Sequence, residues 1–241
     1  MNKIFKIGYI SKGIGYLIIA SALSCSPLKY VPKDKYLLNK VEIEVDNPDI
    51  NKEEAKSHIR QKENYKILGF VKFHLWLYNL SSKRKNDNWL KRIGEPPEIY
   101  DPALVEASEN RLRQYLDSKG YFRAKISPEL SLKEKRSKAS LVYSIKTGEQ
   151  YKIKEVNYHF GDSALKSAFY EDSLSLNLSR TAPFDFNLLE DHREKIVESF
   201  KNKGYYYFTN DDISYLADSS KFEKTIILDA FIGDSVKQDS L

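Results

Sequence analysis

One pattern occurs twice in this chain, 84 residues apart, and it limits the possible folds more than any other feature. The stretch Asp101-Pro102-Ala103-Leu104-Val105 through Leu116 runs into Ser118-Lys119-Gly120-Tyr121-Phe122, and Phe186-Asn187-Leu188-Leu189 through Phe200 runs into Asn202-Lys203-Gly204-Tyr205-Tyr206. The two align without a gap: Leu104 with Leu188, Val105 with Leu189, Leu112 with Ile196, Leu116 with Phe200. Positions 104, 105, 108, 112, 115 and 116 recur at helical spacing, with polar Ser108 among them and His192 at its repeat position. Pro102 suits a first helical turn and Asp101 an N-cap, while each Gly stands where a positive φ ends a helix. Recurrence of a helix–Gly–aromatic unit at one period indicates a duplicated supersecondary element.

The flanks repeat as well. Leu38 to Val45 sets Val41, Ile43 and Val45 against lysine and glutamate, which predicts a half-buried strand, and a polar helix follows from Asn51 to Gln61. After the first Gly, the strands Phe122 to Leu132 and Ser137 to Lys146 join across Lys133 to Arg136, and Thr147-Gly148 closes the unit. The second unit opens with a strand from Tyr151 to Phe160, whose alternation slips near Lys154-Glu155 as a bulge would make it. A short helix from Ser163 to Tyr170, the long helix, and strands Tyr205 to Ala217 and Thr225 to Ile232 follow. Both units read β-α-α-β-β, each a three-stranded sheet with two helices on one face, so the predicted class is α+β.

The start of the chain has a different character. Met1 to Lys12 is basic, Ile14 to Leu23 is an apolar run of signal-peptide length, and Cys25, the only cysteine, follows at once. Ala22-Leu23-Ser24-Cys25 resembles a bacterial lipobox, with Ala22 where Leu is favoured. That resemblance implies a thioether-linked diacylglycerol (acyl chains of palmitate or similar) on Cys25, and two or more acyl chains anchor stably. An ordinary cleaved signal with an incidental cysteine is the competing reading. Ser26 in place of an aspartate points to the outer membrane, with the body in the periplasm. The expected organisation is a lipoprotein signal peptide at 1–24, a lipidated tether at 25–37, domain 1 at 38–148, domain 2 at 149–232, and a polar tail at 233–241.

Composition narrows the function. Removing Lys3, Lys6 and Lys12 with the leader leaves 36 basic against 34 acidic residues, too balanced for a nucleic-acid surface. A single cysteine excludes an internal disulfide and any multi-cysteine metal site. His58, His74, His159 and His192 show no metal-ligand spacing, and no Gly-rich phosphate loop or nucleophile elbow appears. Glu53-Glu54 and Asp211-Asp212 sit in helix-start or turn contexts. The expectation is a chain that is not an enzyme and needs no cofactor or metal.

The element order, Lys-Gly-Tyr-Phe at a helix end, and the closing Thr147-Gly148-Glu149-Gln150-Tyr151 resemble POTRA domains, the periplasmic modules of the BamA/TamA outer-membrane assembly superfamily. Val31-Pro32-Lys33-Asp34-Lys35-Tyr36-Leu37-Leu38, Lys66-Ile67-Leu68-Gly69-Phe70 and Arg92-Ile93-Gly94-Glu95-Pro96-Pro97 resemble the lipidated TamA-like (TamL) proteins of Bacteroidota. The resemblance covers Cys25 to about Ile232. Family members continue into a β-barrel, and even 16 strands of about 9–11 residues need roughly 150 residues. The residues after Ile232 are too few for one, so no transmembrane barrel is expected here: the sequence reads as a fragment of a barrel protein or as a stand-alone POTRA lipoprotein.

The resemblance implies an exposed second strand in each sheet, to which an extended client can add by backbone pairing. The candidate edges are Tyr121, Phe122, Arg123, Ala124, Lys125 and Ile126, and Tyr205, Tyr206 and Tyr207. Partners implied are unfolded outer-membrane protein clients or an assembly-complex subunit, a membrane held through the lipid, and possibly a separate barrel chain. A purely structural lipoprotein subunit is the alternative. Residues 66–100 form a long aromatic insertion, with Phe70, Phe73, Trp76 and Trp89 as a candidate docking surface for a partner or lipid head groups; extra core for domain 1 is the plainer reading.

Overall fold

A computed structural model of the chain describes residues 28–66, 72–81, 89–220 and 224–233. Cys25 and Phe70 lie outside the described residues, as does the basic run Lys83 to Lys85. The first repeat begins with β1 (Leu37–Val45), α1 (Lys52–Ser57), α2 (Phe73–Leu80), α3 (Trp89–Ile93) and α4 (Pro102–Ser118). It closes with β2 (Lys125–Lys133) and β3 (Lys138–Lys146). The second contains β4 (Lys152–Phe160), α5 (Ser163–Glu171), α6 (Ser173–Leu176), α7 (Phe186–Asn202), β5 (Ile213–Ser220) and β6 (Thr225–Ile232). The class is α+β, as the pattern of elements predicts.

Each repeat builds one three-stranded sheet with its last strand in the middle, in the orders β1-β3-β2 and β4-β6-β5. The central strands are the most regular in sequence. Ala139, Leu141, Tyr143 and Ile145 of β3 and Ile226, Leu228, Ala230 and Ile232 of β6 are buried at every second position. A period of two sends one full set of side chains to a single face, and that face carries the core. In the second sheet β4 runs parallel to β6 and β5 antiparallel to it. The parallel pair requires a crossover, which the helices between β4 and β5 supply. The β4 register shifts between Ile153 and Glu155, at the predicted bulge.

Packing divides the chain into two compact units. Of the described residues, one unit takes those up to Glu44 with those within 52–109 and 127–144; the other takes those within 45–51 and 110–126 and those from Ile145 to Gly233. In the second unit, Leu165, Phe169, Ile196, Phe200, Phe208 and Ile232 form one buried cluster. Burying each large apolar side chain contributes about 1.5–3 kcal/mol.

Both long helices begin and end alike. The carboxylate of Asp101 accepts from Ala103 N–H at 3.0 Å, and that of Asp185 accepts from Asn187 N–H at 2.8 Å. At their ends, Tyr121 N–H donates to Leu116 O at 2.9 Å and Tyr205 N–H donates to Phe200 O at 3.0 Å. Gly120 and Gly204 between them have φ of +80° and +97°. This six-to-one bond across a left-handed glycine ends the helix and sends the chain away from its axis. Among the described residues, no helix is long and apolar enough to cross a membrane, and the two sheets are open rather than closed into a barrel.

Candidate protein-binding edges

The order of the strands decides which backbone groups are left for a partner. In each sheet the middle strand is fully paired, so the question is what covers the two flanks. The first strand of each repeat has its outer flank covered at its start. Leu37 bridges Ile99, Leu38 N–H donates to Glu98 O at 2.7 Å, and Tyr100 N–H donates to Tyr36 O at 2.9 Å. Lys152 bridges Pro183, Ile153 N–H donates to Ala182 O at 2.9 Å, and Thr181 N–H donates to Ile153 O at 2.7 Å. Ile99 and Pro183 are themselves 84 residues apart, so this covering device belongs to the repeat. It was missed in the sequence because Glu98-Ile99-Tyr100 and Ala182-Pro183-Phe184 share little beyond position.

The second strand of each repeat, β2 or β5, lies at the far side of its sheet. Along β2 only Ile126 is buried, and Leu130 and Leu132 are exposed. Pro128 interrupts its row of N–H donors, a substitution tolerated at an edge and not in a ladder. β5 (Ile-Ser-Tyr-Leu-Ala-Asp-Ser-Ser) has no proline, and its Leu216 is 60% exposed. β5 therefore presents the longer uninterrupted backbone row.

These strands start later than the aromatic residues suggest. Tyr121 to Ala124 form a turn, as do Tyr205 to Tyr207, and only Lys125 and Ile126 of the candidate residues lie on a strand. The helix caps force the bend, and a second bond tightens it: Ala124 N–H donates to Tyr121 O at 3.0 Å, and Phe208 N–H donates to Tyr205 O at 3.1 Å. Tyr121 is buried, its hydroxyl accepting from Asn47 Nδ2 at 3.0 Å, and burial pushes its pKa up. Tyr205 packs on Phe200 with ring centroids 5.6 Å apart. Tyr206 and Tyr207, by contrast, are 76% and 97% exposed beside a shallow cleft lined by Asp162, Leu165, Phe208 and Asp212.

The described residues of the aromatic insertion include the two short helices α2 and α3. Phe73 and Trp76 stack at 5.8 Å on α2, and Trp89 lies exposed on α3. Only Leu75 and Asn79 of α2 are buried, so the helix contributes little core.

Two of the histidines, His192 and His159, have defined side-chain partners. His192 is buried on α7, with Nε2 and Nδ1 each 2.5 Å from a partner, Leu176 O and Tyr215 OH. A carbonyl only accepts, so Nε2 carries the proton and Nδ1 accepts from the tyrosine. Burial holds the His192 pKa below its usual value and pushes that of Tyr215 up. His159 Nε2 lies 2.8 Å from Asp229, which keeps that carboxyl below the usual range. No group of three or more His, Cys, Asp or Glu among the described residues can hold a metal ion.

Two open three-stranded sheets, each with its second strand at an edge, and left-handed glycine caps are features shared with known proteins. Residues 36–148 match the POTRA family model, described as a surface antigen variable number repeat. The match runs from just before β1 to just after β3, a little under half of the 241 residues. No curated protein matches the chain. Among solved structures it is similar to POTRA3-5 of BamA from Haemophilus influenzae: 16% identity, 84% of this chain and 68% of that one, TM-score 0.38. BamA from Haemophilus ducreyi lacking POTRA domains 1-3 is similar at 10% identity, with 83% and 29% covered and a TM-score of 0.39. The N-terminal domain of Omp85 from Thermosynechococcus elongatus is similar at 11% identity, with 83% and 63% covered and a TM-score of 0.35. The chain thus spans less than a third of the H. ducreyi protein's length.

Proposed function

We propose that this chain is a pair of POTRA-type modules of the BamA/Omp85 superfamily, held in the periplasm by a lipid on Cys25. In this reading it binds extended segments of outer-membrane proteins along β2 and β5 during their assembly. The domain limits in this reading are 38–148 and 149–232, and the chain is of the lipidated TamA-like (TamL) kind found in Bacteroidota, with a barrel in the same polypeptide or on a separate chain. The observation that carries the reading is the asymmetry of each sheet: the start of the first strand has its flank covered by the chain's own backbone, and among the described residues no such bridge covers the second. Backbone pairing is indifferent to side chains, which suits many clients.

Pro128 on β2 favours a second role for that edge, as a protected flank docked on one fixed subunit. Photocrosslinking separates the two. A benzophenone side chain at Leu216 of the full chain, mixed with an unfolded β-barrel precursor, is expected to form an adduct that the folded precursor does not. Equal labelling by folded and unfolded forms, or none by either, contradicts client binding. The Cys25→Ala chain is expected to be largely lost from the membrane fraction; undiminished retention there contradicts the lipid anchor.

A further inference from the structure

The helix α2, Phe-His-Leu-Trp-Leu-Tyr-Asn-Leu, has no charged side chain. Its inner face is Leu75 and Asn79, yet Phe73 and Leu80, two turns apart on another face, are exposed, Leu80 by 50%. A helix that is apolar on its outward side lacks its solvent. Beside it α3 presents Trp89 and Ile93, one turn apart and 61% and 52% exposed. The two helices are joined, since His74 Nδ1 lies 3.2 Å from Ile93 O and Glu95 N–H donates to His74 O at 3.1 Å. Exposed Tyr65 extends the surface, its ring 6.1 Å from that of His74. Glu95 accepts from Tyr65 N–H at 3.1 Å.

Residues 29–30 are tied to the end of α2: Lys29 Nζ donates to Asn79 O at 2.8 Å and Ser81 O at 2.6 Å, and Tyr30 OH donates to Ser81 O at 2.9 Å. Cys25 is four residues earlier, and four extended residues reach at most about 14 Å. If Cys25 carries lipid, as proposed above, the aromatic surface cannot be far from the head groups. Lys29 and Lys91 stand over the Tyr30 ring at 5.3 and 5.7 Å, so two cations border the surface on the side of the tether. Indole and phenol rings with lysines at their margin are the chemistry of a membrane–water boundary.

We infer that the α2–α3 surface, centred on Phe73, Leu80, Trp89 and Ile93, seats in the head-group layer of the membrane that holds the anchor. It orients the first unit at the bilayer and supplies a second attachment beside the acyl chains. The occupant is lipid, and a protein partner there is the outcome that would refute it.

The chain has two tryptophans, Trp76 and Trp89, both on these helices, so intrinsic fluorescence reads the surface directly. The probe is a vesicle of phosphatidylethanolamine and phosphatidylglycerol containing a lipid brominated near the head-group end of its acyl chain. The lipidated full chain in such vesicles is expected to show blue-shifted emission and strong quenching, mostly lost in W89F. Emission that stays unshifted and unquenched while the chain is vesicle-bound overturns the inference, and is the result expected if a protein covers the surface. The Cys25→Ala chain separates this from the anchor: it is expected to bind weakly and still be quenched at high lipid concentration. F73S/W89S in that background should weaken binding at least tenfold. No vesicle binding by the Cys25→Ala chain overturns the inference whatever mass spectrometry shows at Cys25, whereas quenching of a chain that mass spectrometry finds without acyl groups sustains it and refutes the anchor alone.

Discussion

Two turns of nearly identical sequence, Lys119-Gly120-Tyr121-Phe122 and Lys203-Gly204-Tyr205-Tyr206, end the two long helices and then lead different lives. Both close with the same left-handed glycine and the same long cap bond. The first is covered within the second compact unit. Gly120 O accepts from Tyr151 N–H at 3.0 Å, and Gln150 Nε2 donates to Lys119 O at 2.9 Å. Lys119 pairs with Asp185 at 3.2 Å, and the Phe122 ring meets Tyr151 and Phe184 at 5.1 and 5.6 Å. A Cβ on Gly120 would stand 2.6 Å from Phe184 O. The second turn is open: a Cβ on Gly204 would meet nothing within 4 Å, and Lys203 turns back on α5, to Ala168 O, Glu171 and Asp172. Local sequence sets the cap, and packing decides whether the cap is a joint or a surface.

Substitutions at matched positions should therefore separate. Phe184→Ala removes a buried ring that touches the first turn, and a loss of about 3–5 kcal/mol is expected in urea unfolding. Gly120→Ala adds both a left-handed strain and a collision with backbone, for about 2–4 kcal/mol. Gly204→Ala has only the strain, about 1 kcal/mol. Equal losses at Gly120 and Gly204 would erase the distinction between a covered and an open turn. Lys119→Ala breaks a partly exposed ion pair and should cost under about 1 kcal/mol, and Tyr206→Ala should stay within about 0.5 kcal/mol of the parent.

The helices differ at a second matched position, Ser108 against His192. Ser108 Oγ donates to Leu104 O and accepts from Arg60 N–H. His192 is buried neutral with its pKa lowered. The unfolded chain takes up that proton first as pH falls below about 6.5, so stability present above that pH is lost on acidification toward the folded pKa. His192→Gln should flatten the unfolding midpoint between about pH 7 and 5; an unchanged slope would mean that other groups set it.

The parts of the fold legible in sequence are those with strict periodicity or cap chemistry. β6 runs from Thr225 to Ile232 as its alternation predicts, the β4 bulge falls beside Lys154, and Asp101 and both glycines take their cap positions. The starts of β2 and β5 were not legible, because Tyr121, Phe122, Tyr205 and Tyr206 have strand-favouring side chains while the cap bonds dictate a turn. The polar helix from Asn51 stops at Ser57, short of Gln61, where Gln61 Nε2 instead donates to Ile99 O. That bond is made 38 residues away, beyond the reach of local pattern. The position of the second strand at the edge of its sheet was legible through the family resemblance, whereas the residues that lie on that strand were not.

The claim on which the functional account rests is that β5 is free to accept a strand while the start of β4 is not. Amide hydrogen exchange of the full chain, with and without an unfolded β-barrel precursor, measures this residue by residue. Slowed exchange along Ile213 to Ser220, with Lys152 and Ile153 unchanged, is the predicted result. Exchange along β5 that is indifferent to a precursor shown to be bound elsewhere on the chain would contradict it.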